Sequence, residues 1–455
     1  MDKMLPWARS WFTPQTILLL GWAAFLVYAF PGLMSTDSVV QLLEARTGPI
    51  TDWHPPIMSL IWRAADRVVA GPFPMLVLQS VVFLLGVYAA LSRLVSRRRA
   101  ALVASAILLF PSVLAPFAVI WKDCLMASVL IAGYAALLSQ QRAVRWSGVA
   151  LIILATAMRY NAFAATLPLL VGAALLGRQT RVRTAFAAWV ATIVIAFGTN
   201  ALLTDERQHA WHNSLALFDI AGTVHYGDVS EAELSDALAG VPLNPAGQGE
   251  LRARFHRAYE RTAWWGLVHG EHAVLAAPVD AVQRAAVERA WWLLVSKHPQ
   301  AYLHHRRVAS MEVLGLSKHA PGAVWTRNVE LEAQAAMIGQ VTTPSWVQVR
   351  WRSWLQRLEG DLVFEVWAYL LLSLLLLPLA RRSTSLPLLA SGLCHELGVF
   401  FVAPSRDYRY SHWLVVMTCV AVVILFIERW RAGAALRQRH GCDDAATVLM
   451  GSDAR

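Results

Sequence analysis

Runs of about 17–20 apolar residues recur along this chain, and they constrain its fold more than any other feature. A run of that length crosses the hydrocarbon core of a bilayer as an α-helix, because a helix satisfies its backbone hydrogen bonds internally. The 455 residues are 57% hydrophobic and only 15% charged, against roughly 25% charged in soluble proteins. The sequence therefore predicts an all-α polytopic membrane protein.

Ten of the apolar runs are interpreted as membrane spans. They lie near residues 15–32, 74–92, 100–118, 124–139, 146–158, 162–177, 184–203, 362–380, 386–403 and 413–428. Two intervening segments, 33–73 and 204–361, are too polar to cross. The predicted domain division is an N-terminal transmembrane module at 1–203, an external domain at 204–361, a C-terminal transmembrane module at 362–430 and a cytoplasmic tail at 431–455.

Basic clusters beside the spans indicate the orientation, because loops on the cytoplasmic side are enriched in lysine and arginine. With ten spans every cluster falls on one side, so both chain ends are predicted to be cytoplasmic. The same distribution explains the formal net charge of +10 better than a nucleic-acid groove does. The clusters comprise Lys3, Arg9, Arg97, Arg98, Arg99, Arg142, Arg145, Arg178, Arg181, Arg183, Arg381, Arg382, Arg429, Arg431, Arg437 and Arg439.

Both polar segments are predicted to contain helices. After the first span, 38–46 and 57–69 mix apolar and charged residues, which is typical of helices that lie in the membrane interface. In the external domain, 230–233 resembles a capping box, and 283–296 and 345–358 show apolar residues at helical spacing. The tryptophans of this domain either pack in its core or at the lipid interface, or stack on sugars.

Three side chains between the first two spans are candidates for catalysis. A carboxylate just above the membrane, such as Asp37, can act as a general base toward an acceptor hydroxyl in glycosyl transfer. The alternative is that Asp37 caps the helix that follows it, since aspartate is a good N-cap residue. Asp52 and His54 can hold a metal or an acceptor, or can hydrogen-bond the turn before Pro55 and Pro56.

Cationic side chains recur at the external ends of later spans, where membrane topology does not require positive charge. Arginine presents a fork that matches phosphate oxygens, so a lipid phosphate is one ligand for such a group. For Lys122 the alternative partner is its neighbour Asp123 or a lipid headgroup, and for the arginines it is a lipid headgroup. The donor-phosphate candidates are Lys122 and Asp123, then Arg159, Tyr160 and Asn161, and finally Arg406, Arg409 and Tyr410.

One ionisable pair, His395 and Glu396, lies near the middle of the ninth predicted span. Ionisable groups at that depth are costly and usually face the bundle interior or a wet cavity. The pair either lines a lipid-chain or proton path, or consists of a neutral glutamic acid hydrogen-bonded to a neighbouring helix.

These motifs together resemble the polyprenyl-phosphate-dependent glycosyltransferases of the GT-C superfamily, which include protein O-mannosyltransferases and lipid A aminoarabinose transferases. The resemblance covers roughly residues 10–200 well and the last spans weakly. In the external domain only Phe218 and Asp219 suggest a match. It is carried by Asp37, the interfacial helices, the stretch 52–56, the turns 121–123 and 159–161, and Arg409 with Tyr410.

The resemblance implies inverting transfer of a sugar from a polyprenyl-phosphate donor to a cell-envelope glycan, lipid or protein on the periplasmic side of a bacterial inner membrane. It implies that Asp37 is the catalytic base and that Lys122, Arg159 and Arg409 contact the lipid phosphate. No cofactor is implied with certainty, and a divalent cation is left open. The competing hypotheses are a transporter or flippase for an anionic lipid, an O-acyltransferase that uses His54 or His395 as base, and a scaffold.

Overall fold

The computed structural model describes residues 12–177, 182–245, 249–317, 324, 339 and 343–452, with side chains as far as Gly433. Of the basic residues used for orientation, Lys3, Arg9, Arg178 and Arg181 lie outside these ranges, and Arg437 and Arg439 lie beyond the described side chains. In the described ranges the chain is helical, and extended pairing is confined to isolated bridges such as that of Leu33 with Val119.

Among the described residues, ten helices precede residue 204. They are α1 (Pro14–Ala29), α2 (Thr36–Thr47), α3 (Pro56–Asp66), α4 (Phe73–Leu91), α5 (Arg97–Leu108), α6 (Pro111–Phe117), α7 (Lys122–Leu137), α8 (Arg142–Met158), α9 (Phe163–Gly177) and α10 (Val182–Leu203). A π-helix, Trp211–Leu215, and a 3-10 helix, Tyr408–Ser411, lie in the later part. The remaining helices are α11 (Ala216–Tyr226), α12 (Glu231–Ala237), α13 (Leu251–Ala258), α14 (Gly266–His269), α15 (Ala281–Lys297), α16 (Pro299–Leu314), α17 (Trp346–Leu358), α18 (Val366–Leu376), α19 (Leu386–Val402) and α20 (His412–Ser452).

The protein is an all-helical, multi-pass membrane protein. Within the part of the chain that the structure describes, three helical segments are long and apolar enough to cross a bilayer unaided: α4, α10 and the segment Tyr408–Gly433. A fourth is obtained when α5 and α6 are taken as one bent span. Every predicted span coincides with at least one helix, although several of these helices are short, so the number ten and the orientation remain predictions.

The third predicted span, 100–118, is broken rather than continuous. Helices α5 and α6 meet at an angle of 69°. Pro111 is the first residue of α6, and its ring cannot follow a preceding helical turn without clashing with the carbonyl four residues earlier. The break is therefore explained by Pro111, whose effect cannot be seen in the apolar pattern of the run.

Helices α2 and α3 form the predicted pair between the first two spans, and polar contacts hold them together. Glu44 accepts hydrogen bonds from the hydroxyls of Thr51 (2.5 Å) and Ser59 (2.8 Å). At the other end, Arg46 forms a bidentate pair with Asp66, with contacts of 2.8 and 2.9 Å. The loop that carries Asp52 and His54 is thus closed at its base.

Residues 216–309 build a second hydrophobic core, separate from that of the membrane helices. Ser230 is the N-cap of α12, as expected, but Glu233 pairs with His298 (3.1 Å) rather than completing a capping box. The predicted helices 283–296 and 345–358 are present as α15 and α17. Gln348 of α17 donates to the carbonyl of Tyr28 (3.0 Å), so α17 packs on α1.

The second hydrophobic core is joined directly to the loop between α19 and α20. Buried Arg306 pairs with Asp219 and donates to the carbonyl of Ala403 (2.9 Å). Main-chain bonds run from the Trp264 amide to the Pro404 carbonyl (3.1 Å) and from the Arg406 amide to the Thr262 carbonyl (2.8 Å). These contacts fix the loop that carries Arg409.

Candidate active site

Asp37 lies in the first turn of α2, and it does not cap that helix. Ser35 is the N-cap: its hydroxyl accepts from the Ser38 amide, and the Ser38 hydroxyl accepts from the Ser35 amide. The capping alternative for Asp37 is therefore wrong. Its carboxylate, about a quarter exposed, is free to face other side chains.

The start of α2 is tied to the segment ahead of α7. The Leu33 amide donates to the Ala118 carbonyl (2.8 Å), and the Ile120 amide donates to the Leu33 carbonyl (2.9 Å). The Ser38 hydroxyl donates to the Ile120 carbonyl (2.6 Å). Trp121 completes the join through its indole N–H, which donates to the Ser35 hydroxyl (2.8 Å). These bonds bring Lys122 beside Asp37.

Arg409 reaches Asp37 from the opposite end of the chain. One guanidinium nitrogen of Arg409 donates to Asp37 Oδ2 at 2.6 Å, and its Nε lies 2.7 Å from Asp407 Oδ2. The guanidinium also lies over the rings of Trp121 (5.2 Å) and Tyr410 (5.5 Å), where cation–π attraction adds to the ion pairs. Burial favours the neutral acid at Asp37, but the charges of Arg409 and Lys122 outweigh it and hold the pKa of that carboxyl well below its usual range.

His54 lies between Asp37 and Lys122. Its Nδ1 is 2.7 Å from Lys122 Nζ, and its Nε2 is 3.8 Å from Asp37 Oδ1. Burial, followed by the charge of Lys122, lowers the pKa of His54 to about 3, so the ring is neutral. Lys122 then donates to Nδ1, which leaves the proton of the ring on Nε2, facing Asp37.

Lys122 differs from Arg409 and Arg159 in its partner. Its ammonium contacts the neutral ring of His54, whereas the two arginines contact carboxylates. Lys122 precedes the apolar run that begins at residue 124. Burial lowers its pKa to about 7, partly offset by Asp37. Near neutral pH the ammonium is therefore finely balanced, and an incoming anion favours its charged form.

Arg159 and Asp123 pair with each other at the back of the site, and both are almost fully buried. Arg159 Nε also donates to Asn161 (2.7 Å), and its guanidinium lies 5.0 Å from the ring centre of Tyr410. Arg159 thus has a protein anion as partner rather than a lipid headgroup. The arrangement links the turn 159–161 to the loop that carries Arg409.

Asp52 is hydrogen-bonded to other segments of the chain rather than to Asp37. Its Oδ1 accepts from the amides of Gln208 (2.5 Å) and His209 (3.1 Å), and its carbonyl accepts from the Tyr160 hydroxyl (3.3 Å). The expected bond to the turn ahead of the double proline is replaced by bonds to the external domain. Arg406 lies in the loop of Arg409, half-buried, with no side-chain ion pair among the described residues.

The buried pair in α19 divides between two environments. Glu396 accepts a hydrogen bond from the Ser411 hydroxyl (2.9 Å). This contact agrees with the alternative in which the glutamic acid is hydrogen-bonded to a neighbouring element. His395 is fully buried and neither ring nitrogen has a described hydrogen-bond partner.

Two site residues were not singled out from the sequence. Asp407 caps the 3-10 helix and pairs with Arg409, and burial raises the pKa of its carboxyl against the opposing effect of Arg409. Trp121 supplies both the bond to Ser35 and the ring under Arg409. The signal for Asp407 was its position between two arginines. Within the described ranges, no three His, Cys, Asp or Glu side chains converge as a metal site, and metal dependence stays open.

Comparison with known proteins gives one match of structure. No family model matches the chain, and no curated protein does. The structure is similar to that of ArnT from Cupriavidus metallidurans bound to undecaprenyl phosphate. The two chains are 13% identical, the match covers 91% of this chain and 77% of that one, and the TM-score is 0.34.

Proposed function

We propose that this protein is a membrane glycosyltransferase that moves a sugar from a polyprenyl-phosphate donor to a cell-envelope acceptor, with Asp37 as general base. The observation that carries the proposal is the asymmetry of the Asp37 carboxylate. Arg409 donates a hydrogen bond of 2.6 Å to Oδ2, while Oδ1 lies 3.8 Å from Nε2 of His54. One oxygen is fixed and the other is available to an acceptor hydroxyl.

The cations around Asp37 suit a lipid phosphate. Lys122 is bonded to a neutral imidazole, so it can turn to a new anion without leaving a carboxylate unpaired. Arg409 and Arg406 lie in the loop between α19 and α20, and Arg409 contacts Asp37 from there. Arg159 has a different role in this proposal: because it neutralises buried Asp123, it supports the site from behind and does not contact phosphate.

The chemistry follows from these positions. The acceptor hydroxyl attacks the anomeric carbon of the donor sugar, its proton passes to Asp37 Oδ1, and the bond from that carbon to the phosphate oxygen breaks toward Lys122. Attack opposite the leaving group inverts the configuration. The site contributes alignment, a base and a cationic environment for the departing phosphate.

Donor binding also makes Asp37 a better base. In the free protein the cations lower the pKa of this carboxyl. A bound phosphate adds a second anion that competes for Lys122 and Arg409, so the pKa of Asp37 rises toward the range useful for proton transfer.

The proposed location is the periplasmic side of a bacterial inner membrane. The basic clusters flank the opposite ends of the spans, which the positive-inside rule assigns to the cytoplasm. A donor carried on a polyprenyl lipid and a periplasmic acceptor then meet where Asp37 lies.

Mass spectrometry of surface glycans and lipids tests the proposal in cells. The comparison uses wild-type cells, cells that lack the protein, and cells that carry Asp37→Asn or, as a matched control, Asp236→Asn at an exposed position. We expect a hexose or pentose to be missing from the deletion and Asp37→Asn samples only. Identical glycans in all samples contradict the proposal, and accumulation of an unflipped precursor identifies a transporter instead.

A further inference from the structure

A cavity of about 310 Å³ is lined by Trp53, which precedes His54 in the chain, and by residues between 206 and 284. Three indole rings line it, those of Trp53, Trp264 and Trp265, and we name it the tryptophan pocket. Its polar lining includes His209, Arg284 and Asn213. The volume is at the lower end of the range of small-molecule sites, roughly 300–1,000 Å³.

Two connections link the tryptophan pocket to the candidate active site. Trp53 immediately precedes His54, whose Nε2 faces Asp37. On the other side, the amide of Trp264 donates to the carbonyl of Pro404, in the loop that carries Arg409. Asp37, Lys122 and Arg409 are not among the residues that line the pocket, so a ligand there does not take the place of the lipid phosphate.

Asp52 shapes the wall of the pocket. Its carboxylate accepts from the amides of Gln208 and His209, both of which line the cavity. Asp52 is thus a positioning residue for the pocket, and its hydrogen bonds connect the pocket wall to the segment that carries His54.

The aromatic faces are arranged for a flat, polar guest. The Trp53 and Trp264 rings are 6.0 Å apart and tilted by 51°, so they do not stack on each other. Trp265 stacks on His269 at 3.9 Å, yet 57% of it remains exposed. A sugar ring presents C–H groups on one face, which are attracted to the negative face of an indole, and hydroxyls around its edge, which suit the polar lining.

We propose that the tryptophan pocket binds a sugar ring of a glycan acceptor and directs one of its hydroxyls toward Asp37. The inference rests on the proposed function and narrows it, because it makes the acceptor a carbohydrate rather than a protein or a bare lipid. A lipid chain would leave the two lining arginines and the two lining histidines unpaired, and the cavity is too small for a protein surface.

The test uses the full-length protein in nanodiscs and two probes. Saturation-transfer NMR is recorded with a panel of methyl glycosides of glucose, galactose, mannose, N-acetylglucosamine, rhamnose and arabinose. Binding of undecaprenyl phosphate is measured on the same preparations by native mass spectrometry. The variants are Trp265→Ala, Lys122→Ala and the control Trp292→Ala, whose ring is equally exposed (60%) but lies outside the pocket.

We expect at least one glycoside to receive saturation on the protons of one ring face in the wild type and in Trp292→Ala. The signal should fall at least fivefold in Trp265→Ala and persist in Lys122→Ala, which instead binds undecaprenyl phosphate more weakly. The proposal that the tryptophan pocket binds a sugar is overturned if the wild type binds no glycoside of the panel. It is also overturned if the signal is undiminished in Trp265→Ala. Failure of undecaprenyl phosphate to bind the wild type overturns the proposed function separately, whatever the glycosides do.

Discussion

The guanidinium of Arg409 donates a hydrogen bond of 2.6 Å to Asp37 Oδ2, although 372 positions separate the two residues in the chain. This pair joins the first external loop to the last one, and the external domain fixes the last loop through Arg306. The carboxylate is consequently held in one orientation, with a single oxygen left for chemistry. Preorganisation of this kind is what a general base at a membrane surface requires.

Arg409→Gln should shift the acid limb of the profile of kcat/KM against pH to higher pH. The pKa of Asp37 is now held well below its usual range of roughly 3.9, chiefly because Arg409 offsets its burial. Without Arg409 the carboxyl takes up its proton at higher pH, and the base is lost there. Arg307→Gln, at an exposed position, is the control. An acid limb that stays in place contradicts the role of the pair.

Lys122→Ala should weaken binding of undecaprenyl phosphate by about 1–3 kcal/mol, which is the range for a charge-assisted hydrogen bond and corresponds to about a 5- to 150-fold rise in Kd. Lys297→Ala removes a lysine that is 59% exposed and should change nothing. Native mass spectrometry or calorimetry in nanodiscs measures both. Equal affinities for the wild type and Lys122→Ala exclude this lysine from the phosphate site.

Binding of undecaprenyl phosphate should weaken as the pH rises above 7. The pKa of free Lys122 is about 7 because of burial, and the charges that face it are those of Asp37, Arg409, Arg159 and Asp407. A bound phosphate raises that pKa, so binding takes up a proton at higher pH. Kd should then rise by up to about tenfold per pH unit between pH 7 and 9, where the phosphate, with its second pKa near 6, is already a dianion.

Lys122→Arg tests the origin of that pH dependence, because arginine stays charged throughout this range. The variant should bind with an affinity that is nearly constant between pH 7 and 9. The interpretation fails if the wild type shows no pH dependence, or if Lys122→Arg shows the same slope as the wild type.

Arg159→Ala should lower the free energy of unfolding by about 3–5 kcal/mol, because it leaves the buried Asp123 carboxylate without a partner. Thermal unfolding in detergent measures the loss. The double variant Asp123→Asn with Arg159→Met should regain much of it, since neither buried charge remains. A fully stable Arg159→Ala protein means that the pair does not hold the site together.

The helices could be predicted from the sequence because their signals are local. Apolar runs, Pro56 at the start of α3 and Ser345 before α17 all act within one or two turns. The bend between α5 and α6 was missed because a composition average over the run hides one proline. The span count is not settled by length and apolarity, since many of the helices are short.

The sequence indicates which residues belong to the candidate site better than it indicates which of them pair with each other. Charged residues at the external ends of spans pointed to Asp37, Lys122 and Arg409. Which charge meets which depends on contacts between residues far apart in the chain, and no periodicity reports these. Asp52 is the clearest case: only the structure places its carboxylate on the amides of Gln208 and His209, 156 and 157 positions away.

Turnover by purified Asp37→Asn protein tests the central claim most directly. The assay follows sugar transfer from a polyprenyl-phosphate donor in proteoliposomes, with Asp236→Asn as the control. The amide keeps the shape of the carboxylate but cannot accept the proton of the acceptor, so turnover should fall by about 10²- to 10⁴-fold while the thermal unfolding profile still shows a folded protein. Folded Asp37→Asn protein with wild-type turnover would show that this carboxylate is not the base.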